Sequence, residues 1–446
     1  MLEAERQRDM CAGSGGRGPT RATTAQAKPG AFYGWRVVGA AFIVAIFGWG
    51  LGFYGPPVYL HAVRELRGWS LALVSVAVTA HFLIGAIVVA NLPKLYRRFG
   101  VSAVTKAGAL SLGAGVTGWA VAQAPWQLLA ATLLSGAGWA AMGAAAVNQI
   151  VSPWFIRARP AALSMAYNGA SVGGIVFSPL WVAAIALMSF PLAAPAIGVV
   201  TVLTIWLVAD LTLAKTPRQM GLLPDGDAIG VAAIPVASPS AKPLPGSRLW
   251  RDPKFLTLSA GMALGLFAQI GLIAHLFSLL VPALGAQSAG LAMGAATAAA
   301  ILGRTLVGWL MPAGADRRLV ACASYGVQIA GSIACLVAAG TNIPLLLAGV
   351  ILFGAGIGNA TSLPPLIAQV EFTKEDVPRV VALIVAIAQG GYAFAPAAFG
   401  LMRELASRET FESAGTAPYV FAAAALIQAL AMAALLVGRR RGPTRS

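Results

Sequence analysis

From about residue 35 to about residue 438 the chain alternates long apolar runs with short clusters of charge, proline and glycine. Twelve runs stand out, near 35–59, 70–92, 103–124, 127–151, 161–186, 193–213, 255–281, 290–311, 318–339, 344–367, 379–402 and 417–438. A helix rises about 1.5 Å per residue, so roughly 20 apolar residues cross the ~30 Å hydrocarbon core of a bilayer. The pattern predicts an all-α membrane protein with twelve transmembrane helices. Glycine and proline inside several runs are tolerable there, because neighbouring helices satisfy the freed backbone groups. Residues 214–254, with seven prolines and six lysines or arginines, divide the spans into two six-helix bundles, 35–213 and 255–438, and read as a cytoplasmic linker. Residues 1–34 are polar without an apolar core, which predicts a disordered cytoplasmic tail and not a signal peptide; 439–446 read as a basic cytoplasmic tail.

Composition excludes the soluble classes: 58% of residues are apolar and only 10% are charged. A net charge of +16 would suit nucleic acid if the bases shared one face, but they fall between the apolar runs. Of 31 lysines and arginines, 25 lie in the tails, at the entry of the first span, or after spans two, four, six, eight and ten. The alternate segments hold four, Arg64, Arg67, Arg403 and Arg408. The positive-inside rule then predicts both termini and the linker in the cytoplasm. The chain is expected in the cytoplasmic (inner) membrane of a bacterium, working as a monomer in lipid with no nucleic-acid partner. Cys11, Cys322 and Cys335 make no disulfide framework. No zinc-type cluster, P-loop or nucleophile–base set occurs, so neither metal nor cofactor is expected, nor enzyme activity. Gly354, Gly356 and Gly358, like Gly169, Gly173 and Gly174, read as helix packing.

Charge and polarity inside the apolar runs point to chemistry. Arg304 stands in the run Leu291–Met311, about seven residues from its charged end. A guanidinium in lipid is costly unless paired or wetted, which makes it a candidate site residue; the alternative is that it snorkels to the nearer interface. His81, midway along span two, and His275, in the outer half of span seven, are candidates to bind substrate or carry a coupled proton, or else packed core histidines. Asn168, Gln269, Asn359 and Gln389 suit either substrate contact or hydrogen bonding between helices. Tyr54 and Tyr392 combine a ring with a hydroxyl, which fits a small amphiphilic anion as well as helix packing. No aspartate or glutamate lies near the middle of any span. Proton coupling would therefore fall to His81, His275 or the substrate's own proton, and exchange without protons fits equally. Pro56-Pro57 and Pro364-Pro365 predict helix ends or kinks.

Several local motifs join this pattern: Tyr33-Gly34-Trp35-Arg36, Gly68-Trp69-Ser70, Trp154-Phe155 with Arg157 and Arg159, and Asn168-Gly169. The first half closes with Thr216-Pro217 and the run Met220 to Gly226; the second carries His275-Leu276, Gly303-Arg304, Gly308 and Asp316-Arg317. Over roughly residues 33–438 the chain resembles the major facilitator superfamily, in particular its bacterial monocarboxylate-transporter-like and oxalate/formate-exchanger branch. The resemblance implies a midplane cavity between two bundles, each of two inverted three-helix repeats, that rock around the site. It also implies a cytoplasmic gate at Arg97, Arg98, Asp316 and Arg317. Three departures stand out. Arg97 occupies the place where the superfamily usually has an acidic latch residue; Ala300 stands where animal monocarboxylate carriers have aspartate, one turn before the arginine. Span eleven shows Gln389, Gly390, Gly391 and Tyr392 in place of a second cation.

One buried cation suggests one carboxylate. The leading expectation is a secondary transporter that moves a small organic anion, a monocarboxylate above all, by alternating access as symport or antiport. An efflux carrier for amphiphilic compounds is the runner-up, favoured by an aromatic, weakly charged interior. A transport-dead sensor or assembly subunit is a third reading, which a large extra signalling domain would favour.

Overall fold

The computed structural model describes residues 32–226, 246–312, 314–373, 375–409 and 417–440, and every regular element among them is helical. In the first half these are α1 (Tyr33–Gly52), α2 (Gly55–Arg67), α3 (Leu71–Phe99), α4 (Val101–Val121), α5 (Pro125–Met142), α6 (Ala144–Val151), α7 (Arg159–Met188) and α8 (Phe190–Val208). After the short α9 (Gly246–Leu249) follow α10 (Pro253–Leu284), α11 (Ala286–Leu310), α12 (Arg317–Ala338), α13 (Ile343–Glu371), α14 (Val377–Tyr392), α15 (Ala395–Glu409) and α16 (Pro418–Arg440). Twelve spans result, because α1 with α2, α5 with α6, and α14 with α15 are each one interrupted crossing. Eleven are long and strongly apolar, while α4 is diluted by serine, threonine, glycine and Lys106. The expected tails 1–34 and 439–446 lie almost wholly outside the described residues, as do residues 227–245 of the expected linker.

Local chemistry sets the helix starts. The side chains of Ser70, Asp252, Asp316 and Asn342 accept from backbone N–H groups of the first turns of α3, α10, α12 and α13, which satisfies donors that have no partner inside the helix. Pro56-Pro57 sit in the first turn of α2, where a missing N–H is no loss. Pro364-Pro365, expected to end or kink a helix, do not end one: they lie inside α13, which continues to Glu371.

Within the first half α1 packs on α7, α4 on α5 and α8, and α3 on α5; within the second, α10 packs on α16 and α14, α12 on α13 and α16, and α11 on α13. Small residues bring α1 and α7 together: a Cβ added to Gly169 or Gly173 would stand 2.2 or 2.5 Å from the carbonyl oxygens of Phe42 and Ile46. The halves meet along α7 with α11, α3 with α15, and α2 with α10. Gly290 and Gly294 of α11 rest on Ser178, Val182 and Ile175 of α7. Between α3 and α15, Ala72 N donates to Glu404 Oε2 at 2.9 Å, and Ala397 N to Thr79 Oγ1 at 3.1 Å. These contacts lie at the end of the spans that carries the α2–α3 and α10–α11 turns. Toward the other end Asn168 on α7 and Thr305 on α11 are exposed.

Candidate functional site

The first span breaks just above its middle. Phe53 N and Tyr54 N both bond to Trp49 O, and Pro56 has no N–H for the carbonyl four residues before it. Three successive carbonyls are thereby left without helical partners, and in a membrane interior each needs one. Buried rings supply them: Trp181 Nε1 donates to Gly50 O at 3.1 Å, Tyr59 Oη to Leu51 O at 3.1 Å, and His81 Nε2 lies 2.9 Å from Gly52 O. Since a carbonyl can only accept, His81 carries its proton on Nε2. Its Nδ1 accepts from Ser135 Oγ at 2.9 Å, and Ser135 Oγ accepts from Trp119 Nε1 at 3.1 Å. The ring is 1% exposed. His81 is therefore committed to holding the break and does not face a cavity.

The break places Tyr54 at the seam between the halves. A Cβ added to Gly174 on α7 would lie 2.6 Å from the Tyr54 ring and equally close to the Thr297 methyl on α11, so the three residues meet at one point. Arg304 is seven residues further along α11, two turns or about 10 Å of axis on nearly the same face. Its Nε donates to Gly358 O at 3.2 Å; that carbonyl also accepts from Thr361 Oγ1 and Ser362 Oγ. Gly358 is required there, because a Cβ would stand 2.7 Å from the backbone oxygen of Ala300 and 2.8 Å from Arg304 Nε. Among the described residues no carboxylate lies within ion-pair reach of Arg304, and its two terminal amino groups have no hydrogen-bond partner. The side chain is thus fixed at its root with its fork open.

A chain of rings leads across this seam. Tyr167 meets Trp49 at 6.5 Å between centroids, Trp49 meets Trp139 at 4.9 Å, and Trp139 meets Phe53 at 6.0 Å. Phe53 contacts both Tyr54 and Phe82, and Phe82 meets Tyr392 of the second half edge-on at 6.2 Å. Trp49, Phe53, Tyr54, Trp139, Tyr167 and Tyr392 are half-buried. Tyr54 thereby links this line of rings to the face of α11 that carries Thr297 and Arg304.

The other candidates are dispersed. His275 is fully buried toward the α10–α11 turn, with Nε2 2.9 Å from Pro396 O and Nδ1 3.4 Å from Arg403 Nη1. Arg403, expected in an external segment, lies buried in α15 and also donates to Ser278 Oγ at 2.6 Å. Gln269 is buried within α10, its Oε1 without a partner among the described residues. Asn359, next to Gly358, is buried with its Oδ1 unpartnered among the described residues and lines a cavity of only about 10 Å³ with Met262, Ser324, Tyr325 and Pro364. Asn168 is exposed on α7, and Gln389 is half-buried on α14, one turn before Tyr392.

At the rim where the described residues begin and end, Arg97 and Arg98 are exposed at the end of α3, and Arg98 lies over the Phe99 ring. Asp316 caps α12 and pairs with Arg439 of α16, while Arg317 donates to Leu366 O. Burial pushes the Asp316 carboxyl up, but Arg439 and two backbone N–H donors outweigh it and hold the group below the ordinary carboxylate value. Neighbouring Arg318 is the larger finding. It is 2% exposed; Nε and Nη2 grip Glu371 at 2.6 and 2.8 Å, and the remaining donors reach Thr257 Oγ1, Leu435 O and Lys254 O. In the first half Asp225 accepts from the backbone N–H groups of Ile156, Arg157 and Ala158, and Lys106 pairs with Asp210.

The sequence profile of the Major Facilitator Superfamily matches residues 38–396. The chain is 27% identical over 404 residues to "MFS transporter asaE" of Aspergillus flavus, covering 84% of this chain and 81% of that protein. Among solved structures it is similar to a bacterial homologue of the human lysosomal transporter Spinster in an inward-facing, occupied conformation (TM-score 0.64, 16% identity, 93% of this chain and 98% of that one). It is also similar to the nucleoside transporter NupG (TM-score 0.66, 11% identity, 91% of this chain and 99% of that one). At such identities the two structures speak for the fold alone.

Proposed function

This chain belongs to the Major Facilitator Superfamily and is a multi-pass membrane transporter; from that premise we propose that its substrate is a small organic anion, a monocarboxylate above all, moved by alternating access. The observation that carries this reading is the open fork of Arg304, anchored through Nε to Gly358 O, two turns along α11 from the Thr297 that meets the Tyr54 ring. A guanidinium offers two parallel N–H donors, and a carboxylate is the acceptor that matches them. The rings would receive the apolar body of the anion. They also favour a second reading, export of an amphiphilic compound, in which the anionic group is dispensable.

Coupling follows from the same chemistry. Both candidate histidines have their ring nitrogens occupied by protein partners, so we assign the proton to the substrate acid or to none, giving acid symport or anion exchange. We place both termini and residues 214–254 in the cytoplasm, on the charge asymmetry of the segments. Labelling of an introduced cysteine at position 230 from outside intact cells would overturn that orientation.

The deciding experiment is a panel of carboxylates assayed on proteoliposomes, with and without a pH gradient, together with direct binding in detergent. Arg304→Ala should weaken carboxylate binding about 100-fold, the worth of a bidentate charge-assisted pair. Arg304→Lys keeps the charge but loses the fork and should fall between. Equal affinities in all three proteins would remove the anion from the mechanism and favour the amphiphile.

A further inference from the structure

Tyr54 stands where α7 and α11 come together. The outer parts of these helices are in contact through Gly290 and Gly294. Next along the seam the Tyr54 ring and the Thr297 methyl meet over Gly174. Arg304 follows two turns along α11, about 10 Å of axis from Thr297, and arginine side chains in helices lean back toward the N-terminus, here toward Tyr54. Along the seam the ring therefore stands between the α7–α11 contact at Gly290 and Gly294 and the Arg304 side chain.

The position of that limit is fixed from behind. Tyr54 follows directly on the three capped carbonyls, so Trp181, Tyr59 and His81 hold the backbone that carries it. The absence of a side chain at Gly174 leaves the slot into which the ring fits. Neither arrangement is required to bury an aromatic residue, which lipid would accept; both are required to hold the ring across the seam.

We infer that the Tyr54 ring, seated on Gly174 and Thr297, is a roof over the Arg304 compartment that sets the size of the anion it admits, so that short acids fit with the carboxylate on the fork and long unbranched acids do not. This rests on the anion reading above and adds to it a limit on substrate length. A buried methylene contributes about 0.8 kcal/mol, or roughly fourfold in affinity, so a roof that excludes two or more carbons should be visible in binding.

The test is affinity of the purified full chain in detergent for acetate, butyrate, hexanoate and octanoate. Wild type should show affinity rising with length and then falling. Tyr54→Ala should remove the fall and raise the octanoate-to-butyrate ratio about tenfold or more, whereas Tyr54→Phe, which keeps the ring, should hold the wild-type ratio. Gly174→Ala pushes a methyl into the ring and should move the optimum to shorter acids; it decides the matter if Tyr54→Ala does not fold. A length profile unchanged in Tyr54→Ala, or in Gly174→Ala, overturns the roof while leaving the anion reading intact, provided Arg304→Ala still weakens binding about 100-fold. Carboxylate binding that is indifferent to Arg304 overturns the reading beneath it. A changed ratio in Tyr54→Phe as well would show that the hydroxyl, and not the size of the ring, does the selecting, and would also overturn the roof.

Discussion

Two arginines in successive spans make opposite use of the same side chain. Arg318, at the start of α12, has partners for Nε, Nη1 and Nη2, with a carboxylate gripped by Nε and Nη2. It ties α12 to α10, α13 and α16. Arg304, on α11, bonds through Nε alone. Both are charges withdrawn from bulk water, so both need compensation. The first receives it permanently from the fold, whereas the second has it only when something else arrives. An arginine whose fork is filled is holding helices together; one whose fork is empty is available for binding.

Thermal unfolding of single variants in one detergent separates these roles. Arg318→Ala should show the largest loss, about 3 kcal/mol, because it strands Glu371; the partial exposure of that carboxylate keeps the loss at the low end for a broken buried pair. Replacing both partners, Arg318→Met with Glu371→Gln, should recover part of it. His81→Phe comes next, at about 1–2 kcal/mol, since Gly52 O loses its donor within the bundle. Its milder relative His81→Gln keeps a donor and an acceptor and should preserve transport with its pH response; loss of the pH response alone would return this histidine to the coupling mechanism. Arg304→Ala should be smallest, within about 0.5 kcal/mol, although it is the variant that most impairs binding. A large destabilisation by Arg304→Ala would mean that the contrast between the two arginines is wrong.

Much of the fold was legible before any coordinates, because lipid imposes a length and a composition on every crossing. Arg304 was legible for the same reason: a charge within an apolar run is conspicuous. Arg403 was not, since it lies beyond the apolar stretch in a mixed sequence, Arg403-Glu404-Leu405-Ala406-Ser407-Arg408, that reads as a solvated segment. Arg318 and Glu371 each stand at the margin of a span, and nothing local reveals that partners 53 positions apart will meet. His81 was ambiguous in the same way, because its fate depends on Ser135 and on a carbonyl freed by Pro56. The rings Trp49, Phe53, Trp139 and Tyr167 are indistinguishable by type from aromatics that face lipid; only the contacts between them mark the seam. Intrachain partners at long separation decide which polar groups are occupied, and such pairings leave no trace in local pattern.

The interruption of the first span also bears on how the protein is made. Its three carbonyls at Gly50, Leu51 and Gly52 find donors in Trp181, Tyr59 and His81. Of these, only Tyr59 belongs to the same span; His81 is on the second and Trp181 on the fifth. A nascent chain that released its first helix into lipid alone would expose backbone oxygens with nothing to satisfy them. The first span must therefore stay near the insertion machinery, or keep water with it, until the second has followed, and it is complete only after the fifth. In this protein the order of synthesis and the order of packing diverge at the outset, and the first span is finished only once the fifth is in place.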